Sequence, residues 1–162
     1  MLSTRTLLTG GAAACLALAL ASPSPASAKS VTYQGKVSGG TSISMKVNGT
    51  KVSRVLARVP VACVSSRTSD TKAGADWFNP PAIFDVGVEQ TISAEQPSAF
   101  AASGVTKNYR VTLKKAKGRR GAITGRLHVN FMTVEPYFNA MGYLDGNTFI
   151  CQGDATFTAR PR

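Results

Sequence analysis

The sequence predicts an all-β protein: a single antiparallel β-sandwich or barrel of about seven to nine strands, placed after a cleaved signal peptide. Three observations support this class. Apolar and polar residues alternate in several segments, the pattern of strands with one face on a core and one in water. Gly, Asn and Asp turn signals separate those segments. Helical periodicity is almost absent, and it extends to at most one or two turns.

The first 28 residues have the anatomy of a secretory signal peptide. Arg5 provides a short positive region, an apolar run extends from Leu7 to Ala21, and an Ala-Ser-Ala cleavage site ends at Ala28. We therefore expect cleavage near Ala28 and a secreted, extracytoplasmic protein in which residues 29–162 form a single β domain. No other stretch is apolar over the length of a membrane span, so the mature form has no predicted transmembrane segment.

Three strands are predicted at the start of the domain. The first covers about residues 29–37. The second covers residues 41–47, where Ile43, Met45 and Val47 alternate with polar residues. Asn48-Gly49 is a strong hairpin signal and leads into a third strand over about residues 51–64.

The middle of the chain is less regular. Residues 65–74 are polar without periodicity and are predicted to form a loop, and residues 83–88 form a short apolar strand. Trp77 stands close to Pro80-Pro81; we expect it to cover one end of the core, with an exposed aromatic rim as the alternative. For residues 90–104 we expect at most one or two helical turns.

A β-hairpin over residues 107–131 is the clearest prediction. Tyr109, Val111 and Leu113 alternate with polar residues, and the same alternation follows the turn at 117–121. Residues 133–141 are predicted to be a loop or an irregular strand. Two last strands are predicted over residues 148–151 and 155–159.

The hairpin also contains the one anomaly of composition. The chain carries a formal net charge of +11, and no acidic residue occurs between Gln96 and Val134. Eight cations fall in the hairpin and form the predicted anion-binding set: Lys107, Arg110, Lys114, Lys115, Lys117, Arg119, Arg120 and Arg126. Such a cluster creates a positive field that attracts polyanions, although the same charge also serves solubility.

These residues predict a non-enzymatic domain that associates with anionic cell-surface or extracellular polymers, or with an anionic membrane surface. The alternative is a secreted protein-interaction module, of inhibitor or adhesion type, that acts through loops near Trp77 and Pro136; its protein partner is unknown. Sequence-specific nucleic-acid binding is not expected, because Tyr109 is the one aromatic residue in the basic cluster and its parity points inward.

Catalysis has little support in the sequence. His128 is the single histidine, it falls on the outward parity of the hairpin, and no serine lies in a Gly-x-Ser-x-Gly motif. A hydrolase built on two carboxylates is less favoured, because the spacing of the acidic residues selects no pair. We predict no catalytic residue, no metal site and no cofactor, since the ligand and phosphate-binding motifs are absent.

Cys63 and Cys151 remain after signal cleavage. In a small exported domain, an even cysteine count indicates a disulfide, with two free thiols as the alternative. This bond would close a long loop and contribute substantially to stability.

Short motifs at both ends of the domain resemble a group of small exported actinobacterial β-domain proteins of unknown function. They are Tyr33-Gln-Gly-Lys36 near the start, Cys63 at the end of a strand, and the closing segment from Cys151 to Arg160 with its Thr-aromatic-Thr-Ala-Arg sequence. Phe157 stands where the group has Trp. The resemblance implies an exported β domain with a Cys63–Cys151 bridge, and it implies no activity and no site residues.

Overall fold

The protein is described by a computed structural model, which covers residues 29–116, 121–138, 140–142 and 144–162. The predicted signal peptide and the centre of the 117–121 turn lie outside these residues. The described chain contains nine strands and no helix. The strands are β1 (Val31–Val37), β2 (Ser42–Asn48), β3 (Lys51–Ser65), β4 (Thr71–Phe78), β5 (Phe84–Asp85), β6 (Glu89–Gln96), β7 (Val105–Lys115), β8 (Ile123–Phe138) and β9 (Leu144–Pro161).

All nine strands belong to one antiparallel sheet, which confirms the predicted all-β class. The order across the sheet is β4-β3-β2-β1-β9-β8-β7-β6, and β5 pairs with β3. The predicted β2–β3 and β7–β8 hairpins are both present, with Val47 opposite Val52 and Val111 opposite Leu127.

The sheet forks between β3 and β9. The first part of β3, up to Ala57, pairs with β2, whereas its last part, from Val61, pairs directly with β9. The later residues of β9 pair with β1, so the β1–β2 hairpin fills the opening of the fork. Gly153 lies where β3 and β9 meet, and a Cβ atom there would approach the Pro60 carbonyl oxygen to 2.7 Å. A side chain at this position would push the two strands apart.

The disulfide between Cys63 and Cys151 joins β3 to β9 at the closed end of the fork, as predicted. The two residues face each other in the register of the strands, and both are fully buried. The bond therefore fixes the place where β3 and β9, whose cysteines are 88 residues apart in the sequence, come together.

The sheet bends around one core, on which both of its ends pack. Phe78 in β4 and Tyr109 in β7 lie near opposite ends of the strand order, yet their ring centroids are 5.0 Å apart in an edge-to-face arrangement. The alternating apolar residues of β3, β7, β8 and β9 point into this core, which confirms the inward parity predicted for Tyr109, Val111 and Leu113.

Several local predictions are wrong. Residues 89–96 form strand β6 instead of helical turns, because β7 offers a complete pairing edge that outweighs the helical preference of alanine. The predicted loop 65–74 ends early, since β4 begins at Thr71, and β8 continues as a regular strand to Phe138. Trp77 does not cover the core: it is 48% exposed, while its neighbour Phe78 is fully buried.

Candidate anion-binding face

The outward side chains of β1, β7, β8 and β9 form one polar surface. Strand register places them in rows across the sheet. Thr112, Arg126 and Thr156 lie side by side in one row. Lys114, Thr124, Thr158 and Lys36 form the next row. We call the four cations Lys36, Arg110, Lys114 and Arg126 on this surface the basic face.

A groove of about 760 Å³ runs over the two rows and is open to solvent. Its cations are Lys36, Lys114 and Arg126, and Glu89, whose carboxylate accepts a hydrogen bond from the Thr112 hydroxyl, also lines it. The hydroxyl groups of Thr112, Thr124, Thr156 and Thr158 lie between them. The groove therefore combines positive charge with hydroxyl donors and acceptors along several strands.

A smaller hollow of about 250 Å³ contains Arg110, Arg126 and His128, together with the carboxylates of Glu89 and Asp154. Arg126 Nε lies 3.3 Å from Asp154, and Arg110 Nε lies 3.8 Å from Glu89. The arginines of both pairs are more than half exposed, so water screens the pairs and each contributes little to stability. An external anion can therefore compete for these arginines at small cost.

His128 belongs to the same hydrogen-bonded group. Its Nδ1 lies 3.2 Å from Asp154, and its Nε2 faces the side-chain amide of Asn130 at 3.4 Å. Burial would raise the pKa of Asp154, but hydrogen bonds from His128 and Gln152 and the charge of Arg126 outweigh it and hold the pKa below its usual value. Asp154 thus stays ionised near neutral pH and orients both His128 and Arg126.

The eight predicted cations do not form one patch. Arg110, Lys114 and Arg126 lie on the basic face, and Lys115 is exposed at the end of β7. Lys117, Arg119 and Arg120 lie outside the described residues. The prediction is wrong for Lys107, which is fully buried against Asp76 and therefore cannot contact an anion in solution.

The alternation in the sequence already indicated that Lys107 faces the core, because Lys107 has the same inward parity as Tyr109, Val111 and Leu113. Lys36 was missed for a different reason. It lies in β1, far from the hairpin in the chain, and reaches the basic face because β1 pairs with β9. Its outward position follows from the buried neighbour Val37, but its distance from Lys114 depends on sheet order, which the sequence does not reveal.

A second exposed surface lies at the other end of the same strands. Met132 and Val134 in β8 are 65% and 63% exposed. Ile150 in β9 lies opposite Met132 in register, and Val64 in β3 lies opposite Ile150 on its other side. We call these four residues with Pro136 the apolar strip.

Loops were predicted near Trp77 and Pro136, but Pro136 lies within β8 and Trp77 lies within β4. The Arg58 guanidinium lies 5.4 Å from the centroid of the Trp77 indole ring.

The described residues contain no group of three side chains arranged to hold a metal ion. Within the same part of the chain, no helix has the length and apolar character needed to cross a membrane. Comparisons with protein-family models, with curated proteins and with solved structures found no match for this chain.

Proposed function

We propose that this protein is an exported, non-enzymatic β domain that binds anionic polymers at or outside the cell surface through the basic face. The groove supports this most directly, because it brings Lys36 of β1 together with Lys114 and Arg126 of the hairpin. The signal-like residues 1–28 and the disulfide agree with an oxidising compartment.

The chemistry of the groove favours a polymer that carries both acidic groups and hydroxyls. Ammonium and guanidinium groups attract carboxylate, sulfate or phosphate, and the threonine hydroxyls can exchange hydrogen bonds with neutral polar groups between the charges. Such a ligand lies across several strands without entering a deep pocket. An anionic glycan or a polyphosphate-type wall polymer has this chemistry.

The test is binding of heparin, as a model anionic glycan, at increasing salt. The variant Lys114→Glu/Arg126→Glu should weaken binding by roughly tenfold or more and reduce its salt dependence, since two cations become two anions on the groove. The control is Lys46→Glu/Lys51→Glu, which changes net charge equally at residues on β2 and β3 outside the basic face. Equal losses for both variants would show that heparin has no preference for the basic face and would reject the proposal.

A second candidate function is docking of a protein partner, and the apolar strip favours it. Five contiguous exposed side chains, four of them large and apolar, are unusual on a surface that faces only water. A partner bound there would persist in about 1 M salt, where screening removes attraction to the basic face. It would be lost in Val134→Ser/Ile150→Ser and retained in Lys114→Glu/Arg126→Glu, the opposite of the result expected for an anionic polymer.

A further inference from the structure

The core contains one ion pair whose two members are both fully buried. Lys107 in β7 places its Nζ 2.8 Å from Oδ2 of Asp76 in β4. The side chains have 0% exposure, and the ring centroid of Phe131 lies 5.3 Å from Nζ. An amine and a carboxyl group are therefore held in contact in a place from which bulk water is excluded.

The two oxygens of Asp76 have different surroundings. Oδ1 accepts hydrogen bonds from two backbone N–H groups, those of Trp77 at 2.8 Å and Ala99 at 3.0 Å. Oδ2 faces Lys107 Nζ and also accepts from Ser98 Oγ at 3.0 Å. Oδ1 is thus held as a carbonyl oxygen would be in an oxyanion hole, and Oδ2 lies beside both a nucleophile and a hydroxyl that can carry a proton.

We propose that Lys107 and Asp76 form an intramolecular amide bond after folding. One proton passes from Nζ to Oδ2 along their hydrogen bond, giving an amine and a carboxylic acid. The Nζ lone pair then attacks Cγ, and the carbonyl electron pair moves onto Oδ1, where the N–H groups of Trp77 and Ala99 stabilise it. The electron pair on Oδ1 then re-forms the carbonyl double bond, and the Cγ–Oδ2 bond breaks. A second Nζ proton reaches the departing hydroxyl through Ser98 Oγ. One water molecule leaves, and no oxidant or cofactor is required.

The surrounding groups suit the product as well as the reactants. The remaining N–H of the amide has an acceptor in the Pro97 carbonyl oxygen, which lies 2.6 Å from Nζ. The new carbonyl oxygen keeps both backbone donors. A buried ion pair becomes a neutral, fully hydrogen-bonded amide, which removes the desolvation cost of two charges. Fixed contact between the reacting groups supplies the high effective concentration that the uncatalysed reaction lacks.

The chain provides a matched control for burial. Lys51 and Asp85 are the same residue types at the same 2.8 Å separation, but their side chains are 61% and 35% exposed. Water reaches both side chains there, and Asp85 has no pair of backbone N–H donors aimed at one oxygen among the described contacts. This pair is expected to remain an ordinary ion pair.

Tryptic mapping of the purified, unmodified protein under reducing conditions tests the proposal. No lysine or arginine lies between Lys72 and Lys107, so the free chain yields a peptide from 73 to 107. The amide blocks cleavage after Lys107, so we expect a peptide from 73 to 110 that is lighter by one water molecule, about 18 Da. Fragmentation should place the link between Asp76 and Lys107, and Lys51 and Asp85 should be unlinked.

Recovery of the 73–107 peptide at its unaltered mass would overturn the proposal without any variant having to fold. The variant Ser98→Ala adds a kinetic test. Its linked fraction, followed by mass spectrometry over time after a pulse of isotope-labelled synthesis, should rise several-fold more slowly than that of the parent chain. An unchanged rate would refute the role of Ser98 as the proton carrier.

Discussion

Breaking the Cys63–Cys151 bond should destabilise the domain severely. The bond spans 88 residues of sequence, and the chain-entropy relation gives about 4–5 kcal/mol for a loop of this length. Domains of this size have a net stability of about 5–15 kcal/mol, so reduction removes a large part of the total. The structure adds a local reason, since the bond holds β3 to β9 where the fork closes.

The experiment compares urea unfolding of the oxidised protein with protein reduced under denaturing conditions and refolded in reductant. Circular dichroism is the better signal, because Trp77 is already half exposed in the native state and its fluorescence should change little. With an m value of about 1–2 kcal/mol/M, the midpoint should fall by about 2–5 M urea. The double variant Cys63→Ala/Cys151→Ala is measured with and without reductant as a control for direct effects of the reagent. Midpoints of oxidised and reduced protein within about 0.5 M of each other would refute the reasoning.

Two further predictions concern single side chains. The Tyr109 hydroxyl is buried without a hydrogen-bond partner in the described structure, and burial, together with the negative charge of Asp76, raises its pKa. Tyr109→Phe should therefore stabilise the fold by about 1 kcal/mol in the same urea assay. A clear loss of stability would show that the hydroxyl has a partner. Hydrogen bonds from the Gly146 N–H, which has the largest effect, and from Arg67 hold the pKa of Asp145 below its usual value. Because the pKa of Asp145 is lower in the folded state, its ionised form stabilises the fold above about pH 4, and this stability is lost as the pH falls through the folded-state pKa. Asp145→Asn should therefore flatten the decline of melting temperature below about pH 4. An equally steep decline in that variant would assign the acid sensitivity to other carboxylates.

Much of the fold was predictable because its signals are local. Alternation in β2, β3 and β7 fixed which residues face the core, and Asn48-Gly49 marked a hairpin that the structure contains. The disulfide followed from the cysteine count and the expected compartment. For the strands and the hairpin, the relevant information lies within a few residues, where backbone geometry and side-chain parity are tightly linked.

What could not be predicted depends on partners far apart in the chain. β6 is a strand because β7 offers it an edge, although its own sequence mixes alanine, serine and glutamate. The fork between β3 and β9 has no local signature, since both strands alternate as any two-sided strand does. For the same reason the sequence predicted three of the four cations of the basic face and missed Lys36, which joins it through the pairing of β1 with β9.

Strand β9 has a consequence for the order in which the molecule can be completed. It is the last of the nine strands to be synthesised, yet it contacts β8, β1 and β3 and carries half of the disulfide. Until residues 144–161 are available, β1–β2 and β7–β8 can form hairpins, but they have no common strand to join them. Contacts of such long sequence separation form slowly, and the sheet around the core stays incomplete until these contacts have formed. The growing chain should therefore hold separate hairpins without a complete core until residues 144–161 have been synthesised.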